Sequence, residues 1–257
     1  MTRSDREAAG LPPGRCLAVV VAGGDVAARD RLDAAWPGWD DGLELVIAAD
    51  GGLEHARALG LHPDLLVGDL DSLPADAVAA AEADGVAVLR ARPDKDESDT
   101  ELALLEAVRR APERIIVLGA FGGQRLDHAL ANVWLLAHPA LAGRDIVLLD
   151  ERTRVSLVAA PGADGAAVTT ALPGRTGAIV SLLPLAGVVE GITTHGLLYA
   201  LRDEPLVPGP ARGLSNVRTR DDARVVVRRG LLLVVEAAPA PGAAEGARTA
   251  GGLSSAP

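Results

Sequence analysis

Hydrophobic positions fall into two textures along the chain. Leu17 to Ala22 is an unbroken apolar, β-branched run that stops at Gly23-Gly24-Asp25, the pattern of a strand buried on both faces and followed by a tight loop. Glu44 to Ala49 repeats the design and ends in Asp50-Gly51-Gly52, and a short helical stretch from Leu53 to Leu59 stops at Gly60. Leu65-Leu66-Val67, Val86 to Leu89, Arg114 to Leu118 and Asp145 to Leu149 continue the series of strands. Between them the pattern predicts a weak helix after the first strand and one from Pro74 to Ala83 capped by the Ser72 hydroxyl. It also predicts a clear helix from Asp99 to Arg110 with Leu102, Leu105 and Val108 on one stripe and its acids early, and one from about Leu126 to Ala137. Strand alternating with helix over short loops predicts an α/β domain at 15–150, a mainly parallel sheet covered by helices on both faces.

After Asp150 the texture changes. Arg154–Ala159, Ala166–Ala171, Gly177–Leu183, Val188–Thr194, Arg224–Val227 and Leu231–Val235 are short runs separated by Gly, Pro and Asp, with no helical period. They predict an antiparallel β-sandwich or barrel, hence a smaller all-β C-terminal domain at 151–236. Residues 1–14 are polar and end in Leu11-Pro12-Pro13-Gly14, and residues 237–257 are mostly Ala, Pro, Gly and Ser; both are expected to be disordered.

Composition narrows the function. The chain of 257 residues carries a net charge of −10, which argues against nucleic acid or an anionic membrane as the main partner. Its one cysteine, Cys16, excludes an internal disulfide and a cysteine-rich zinc cluster, and its expected role is packing within a strand. With no apolar leader and no run long enough to span a bilayer, the expectation is a soluble cytoplasmic protein. Lys95 is the only lysine and lies inside an acidic cluster; Phe121 and Tyr199 are each the only one of their kind.

Gly68-Asp69-Leu70-Asp71-Ser72 places two carboxylates one residue apart where a strand ends. If the extended geometry persists through Asp71, both point to the same side. Two unit charges about 4 Å apart repel by roughly 4 kcal/mol at an effective dielectric near 20, so the pair asks for a cation, a shared proton or open water. A divalent-metal site and a solvated turn both satisfy that demand, since Asp also favours turns. In an open α/β sheet the ligand crevice lies beyond the carboxyl ends of the strands. Five such ends here supply Gly23-Gly24-Asp25, Asp50-Gly51-Gly52, Asp69 to Ser72, Asp94 to Asp99, and Gly119 to His128.

The Gly119 to Gly123 loop runs into a helix N-terminus with Arg125 beside it, which suits phosphate and equally suits a plain strand-to-helix turn. Asp127 and His128 are either site residues or ordinary helix-start residues. Together the loops match a phosphate-transfer site in which carboxylates hold Mg²⁺ and glycine backbone holds phosphate oxygens. Neither the common NTPase phosphate loop nor the dinucleotide-binding fingerprint is present.

Ala49-Asp50-Gly51-Gly52, Pro63-Asp64, Gly68 to Ser72, Lys95 to Asp99, Gly122-Gly123-Gln124-Arg125-Leu126-Asp127-His128 with Asn132, and Gly213-Leu214-Ser215-Asn216 resemble the thiamine pyrophosphokinase family in order and spacing, over about residues 44 to 235. The resemblance implies Mg²⁺-dependent transfer of pyrophosphate from ATP to the thiamine hydroxyl, giving thiamine diphosphate and AMP, by a homodimer with a site between its subunits. It implies Asp69, Asp71 and Asp99 as metal and catalytic carboxylates, Asp127 as a further catalytic residue paired with Arg125 on the nucleotide side, and Asp50 as a supporting acid. Asp50, Lys95, Gly122, Gly123 and Arg125 are expected at the ATP phosphates, and Ser215, Asn216 and Tyr199 at thiamine.

Three positions depart from the family pattern. Ser98 stands where Thr is common, Val217 where an acid is common, and no Trp follows in the second domain, which leaves Tyr199 as its one aromatic. Two other readings remain: the same transfer to another alcohol such as a pterin, and a non-catalytic nucleotide-binding or interaction module. Intact Asp69, Asp71, Asp99 and Arg125 speak against the second.

Overall fold

A computed structural model describes residues 16–162 and 166–238. Of the stretches expected to be disordered, 1–14 and 239–257 lie outside the described residues, whereas Ala237, expected to open the tail, is the last residue of the final strand. Strands β1 (Leu17–Val21), β2 (Leu43–Ala49), β3 (Leu65–Gly68), β4 (Ala87–Arg90), β5 (Arg114–Leu118) and β6 (Asp145–Leu149) alternate with helices α1 (Arg29–Ala35), α2 (Gly52–Ala58), α3 (Ala75–Ala83), α4 (Asp99–Arg109) and α5 (Leu126–Leu135). Every pairing among β1 to β6 is parallel, in the order β4-β3-β2-β1-β5-β6. This parallel region matches the α/β expectation, and its cause is visible in β1, where all five residues are buried. Val19 and Val21 pack with Leu32 of α1 and Ala56 of α2, while Ala18 and Val20 pack with Ala103, Leu104 and Ala107 of α4. Period two sends alternate side chains to two covered faces, so a continuous apolar run is what such a strand requires.

Beyond β6 the chain reverses at Asp150 into β7 (Thr153–Pro161), antiparallel to β6. The sheet therefore continues without a break into a strand-rich antiparallel region of β8 (Val168–Ala171), β9 (Ile179–His195), β10 (Arg202–Leu206), β11 (Asn216–Val217), β12 (Arg224–Val227) and β13 (Arg229–Ala237). The strands follow the order β7-β13-β9-β12-β8, with β10 and β11 also paired to β9. Val158, Val180, Leu182, Val225, Leu232 and Val234 share one core there.

Local differences from the sequence pattern have identifiable causes. Two apolar runs read as separate strands are one 17-residue strand, β9, because Gly187 and Gly191 at φ 64° and 66° bend the chain without ending its pairing. β10 and β11 carry too little apolar pattern to be read from sequence. In α4 the fully buried positions are Ala103, Leu104 and Ala107, and the expected stripe of Leu102, Leu105 and Val108 is only partly buried along the same core. The Ser72 hydroxyl does not cap α3, which begins after Pro74 with no side-chain cap; it donates to Asp50 Oδ2 instead.

The strand-rich region holds a buried charge triad. Glu236 is bound by Arg154 at 3.1 Å across the β7–β13 pair and by Arg218, whose side chain is 0% exposed, at 2.7 Å. Burial pushes the Glu236 carboxyl up, and the two guanidinium groups oppose the shift. Arg218 also donates to the carbonyls of Leu172 and Pro173. Removing the central carboxylate leaves buried cations unpaired, so Glu236→Ala is expected to cost about 3–5 kcal/mol in urea unfolding. Arg220→Ala, which breaks an exposed pair with Asp222, is expected to leave the midpoint unchanged.

Candidate functional site

The strand order reverses direction between β1 and β5, so the loops after those two strands leave toward opposite faces and open a crevice. They remain tied together, because the N–H of Gly24 donates to the Gly119 carbonyl and that of Asp25 to the Phe121 carbonyl, both at 2.9 Å. A Cβ on Gly122, at φ 73°, would fall 2.2 Å from Asp25 Oδ2. Only glycine lets this loop lie against the Asp25 side chain. Asn132 of α5, which is buried, donates to the Ala120 carbonyl at 3.0 Å and fixes the helix to the same loop.

On the other side of β1, strands β2 and β3 deliver carboxylates. Carboxylate oxygens of Asp50, Asp69 and Asp71 lie within 4.8 Å of one another. Asp69 and Asp71 converge for a reason other than the pleat of an extended strand. β3 ends at Gly68 and Leu70 has φ 64°, so the segment is a turn in which the Asp71 N–H donates to Asp69 Oδ1 at 3.3 Å. Leu70 is buried under α3 and holds that unfavourable backbone in place. Asp50 likewise sits at φ 46°. Gly68, at φ 151°, lets Asp50 and Asp99 approach, since a Cβ there would stand 3.2 Å from Asp50 Cβ and from Asp99 Oδ1.

Asp99, grouped with Asp69 and Asp71 at the sequence level, is engaged differently. It opens α4 behind Ser98, whose hydroxyl caps the helix by accepting from the Glu101 N–H at 3.1 Å. Its Oδ1 lies 2.8 Å from Lys95 Nζ, which also stands 3.6 Å from Asp69 Oδ2. Burial lowers the Lys95 pKa, but the hydrogen bond and charge of Asp99, with Asp69 beside it, outweigh that effect and hold it above its ordinary value. Burial pushes the Asp50 carboxyl up; the Ser72 hydroxyl and the Gly51 N–H oppose this, and the charges of Asp99 and Asp71 add to it.

The donor set of Asp50, Asp69 and Asp71 is all hard oxygen, and Asp50 Oδ1 is buried with no hydrogen-bond partner. An unsatisfied buried acceptor among converging carboxylates fits a divalent cation such as Mg²⁺. The Ser72–Asp50 link was missed from sequence because Ser72 is placed equally well to cap a helix.

Arg125 and Asp127 form an exposed bidentate pair, Nε to Oδ1 at 2.9 Å and a terminal nitrogen to Oδ2 at 2.5 Å. That guanidinium lowers the Asp127 carboxyl to about 2. The remaining predicted residues stand elsewhere. Asn216 is buried on β11 and its amide is committed to the Tyr199 backbone, accepting from the Tyr199 N–H at 2.9 Å and donating to the Tyr199 carbonyl at 2.7 Å. It therefore holds the backbone of Tyr199, a residue that is 62% exposed. Ser215 is exposed at φ 57°, its N–H held by Ser181 Oγ at 3.0 Å. Counted along the sheet, β9 is seven strand spacings from β3, on the order of 30 Å at about 4.8 Å each.

Two family sequence models match the chain: "Thiamin pyrophosphokinase, catalytic domain" over residues 39–148, and "Thiamin pyrophosphokinase, vitamin B1 binding domain" over residues 169–232. Thiamine pyrophosphokinase of Bacillus subtilis is 25% identical over 216 residues, covering 84% of this chain and 96% of that protein. The crystal structure of the Bacillus subtilis protein superposes with a TM-score of 0.72 at 23% identity, covering 87% of this chain and 99% of that one. A thiamin pyrophosphokinase family protein from Enterococcus faecalis gives a TM-score of 0.70 at 28% identity, covering 88% and 99%.

Because the Asp50 pKa is raised, this carboxyl keeps its proton to higher pH than an ordinary aspartate and must lose it before a cation can bind there. Mg²⁺ affinity, read from the Mg²⁺-induced rise in melting temperature, is therefore expected to strengthen as pH climbs through the Asp50 pKa. Ser72→Ala removes an interaction that favours the ionised form, so it is expected to move that rise to higher pH. Asp50→Asn is expected to abolish it.

Proposed function

The chain belongs to the thiamin pyrophosphokinase family, and from that membership we propose that it transfers a pyrophosphoryl group from ATP to the hydroxyl of thiamine. The hydroxyl oxygen loses its proton to solvent and forms a bond to the β-phosphorus, the bond from that phosphorus to the oxygen shared with the α-phosphate breaks, and thiamine diphosphate and AMP result. The observation that carries the reading is the convergence of Asp50, Asp69 and Asp71 beside the glycine loops at the switch point of the sheet.

Asp69, Asp71 and Asp50 would hold Mg²⁺, with Asp99 beside them, and the ion would neutralise phosphate charge and tie an anionic nucleotide to an acidic crevice. The backbone of Gly122 and Gly123 and the guanidinium of Arg125 would bind phosphate oxygens. Asp127 is too acidic, at about 2, to accept a proton effectively near neutral pH; its part is to orient Arg125. Lys95 lies close enough to Asp69 and Asp99 to reach a phosphate held over them. Incubation with Mg-ATP and thiamine is expected to release AMP, and Asp71→Asn is expected to lower kcat by on the order of 10²-fold or more with the fold intact. ADP as the main product overturns the reading, whereas AMP release with a pterin alcohol and none with thiamine moves it to another acceptor.

The distance along the sheet between the carboxylates and the Tyr199–Ser215 surface supports a homodimer whose site combines one subunit's carboxylates with the other's thiamine-binding surface. A hybrid of an Asp71→Asn chain with a Tyr199→Ala/Ser215→Ala chain is then expected to recover activity that neither parent has, since one of its two sites keeps both intact halves. A purified hybrid as inactive as its parents overturns the shared site.

A further inference from the structure

A well-formed concavity lies away from the carboxylates. A cavity of about 780 Å³ lies on the α1 side of the sheet, between the Ala35–Trp39 segment and the Thr169–Arg175 segment, over β5, β6, β7 and β13. None of the carboxylate, glycine-loop or Ser215 residues lines it. Its size falls within the range of small-molecule sites.

Its charge runs against that of the protein. Four arginines line it, Arg114, Arg144, Arg154 and Arg175, against two acids, Asp145 and Glu236, in a chain of net charge −10. Both acids are already committed: Asp145 binds Arg114 at 2.7 Å across the β5–β6 pair, and Glu236 binds Arg154 and the buried Arg218. Arg218 adds a further charge just behind the wall, for a Cβ on the lining residue Gly174 would stand 3.0 Å from its guanidinium carbon. Arg144 and Arg175 are exposed, and neither has an acidic partner among the described residues. Two uncommitted guanidinium groups thus share a cavity with the apolar side chains of Ile116, Val147 and Val234, which follow one another across the same face of the sheet. Arginine presents a planar fork that pairs with phosphate oxygens two at a time.

We propose that this cavity is a second binding site, separate from the carboxylate crevice, for a phosphate monoester of a small organic molecule. Arg144 and Arg175 take the dianionic phosphate, and the apolar wall takes the organic body. Such a ligand needs no divalent cation, because the excess charge of the lining is already positive. The carboxylate crevice, by contrast, repels an anion until a cation is present.

That contrast makes the site testable on the full chain in metal-free buffer by calorimetric titration with phenyl phosphate and, separately, inorganic phosphate. Phenyl phosphate is expected to bind more tightly than inorganic phosphate. Arg144→Ala/Arg175→Ala is expected to weaken phenyl phosphate by at least about tenfold at an unchanged melting temperature, and Arg125→Ala, in the glycine-loop crevice, is expected to leave it unaltered. The proposal is overturned by no binding to the wild-type chain, by equal affinity for the two probes, by undiminished binding to the double variant, or by loss of binding in Arg125→Ala.

Discussion

Four carboxylates drawn to one end of a parallel sheet set the terms for the rest of this protein. Asp50, Asp69 and Asp71 lie within 4.8 Å of one another and Asp99 packs against the same glycine. Like charges at such separations repel by roughly 3–4 kcal/mol at an effective dielectric near 20. The fold answers with particular devices. Lys95 bridges Asp99 and Asp69, the Ser72 hydroxyl binds Asp50, and the N-terminus of α4 carries Asp99 in its first turn. The backbone pays with positive φ at Asp50 and Leu70, which persists because Leu70 is anchored in the core under α3. Strain concentrated on these residues is the structural mark of a site assembled against local preference.

Much of this is legible in the sequence, for physical reasons that also explain where legibility stops. A strand buried on both faces must be apolar throughout, so β1, β5 and β6 announce themselves, and their parallel order follows from the helices between them. That Asp69 and Asp71 converge could be read; the means could not, because an extended strand and a tight turn bring residues i and i+2 together equally well. Ser72 was read as a helix cap since local spacing cannot see Asp50, 22 residues away. The single strand β9 looks like two because glycine marks a bend and a termination alike, and only its pairing with β12 and β13 along one edge and with β10 and β11 along the other distinguishes them.

Partner choice by polar side chains is the least legible layer. Asn216 belongs to a family motif, and its amide accepts from and donates to the Tyr199 backbone. Asp127 similarly lies in a motif with Arg125, and the bidentate pair between them makes it a weak base and a firm anchor. In both cases groups of the protein itself compete with any ligand for the side chain: Asp127 engages Arg125, two residues away as the motif suggests, and Asn216 engages the backbone of Tyr199, 17 residues away and out of reach of local spacing.

The use of lysine at position 95, in a chain whose other strong cations are all arginine, is intelligible on the same footing. A guanidinium between Asp69 and Asp99 would bind in a fixed planar fork and stay there, as Arg125 does with Asp127. An ammonium on a flexible stem makes a compact charge with three rotatable donors, so it can satisfy Asp99 at 2.8 Å and Asp69 at 3.6 Å without committing either carboxylate to one geometry. Asp50 and Asp71 receive no cation from the described residues; Asp71 lies open to water, and Asp50 retains a buried oxygen without a partner. The protein therefore neutralises one half of its acidic crevice with its own lysine and leaves Asp50 and Asp71 without a cation of its own among the described residues.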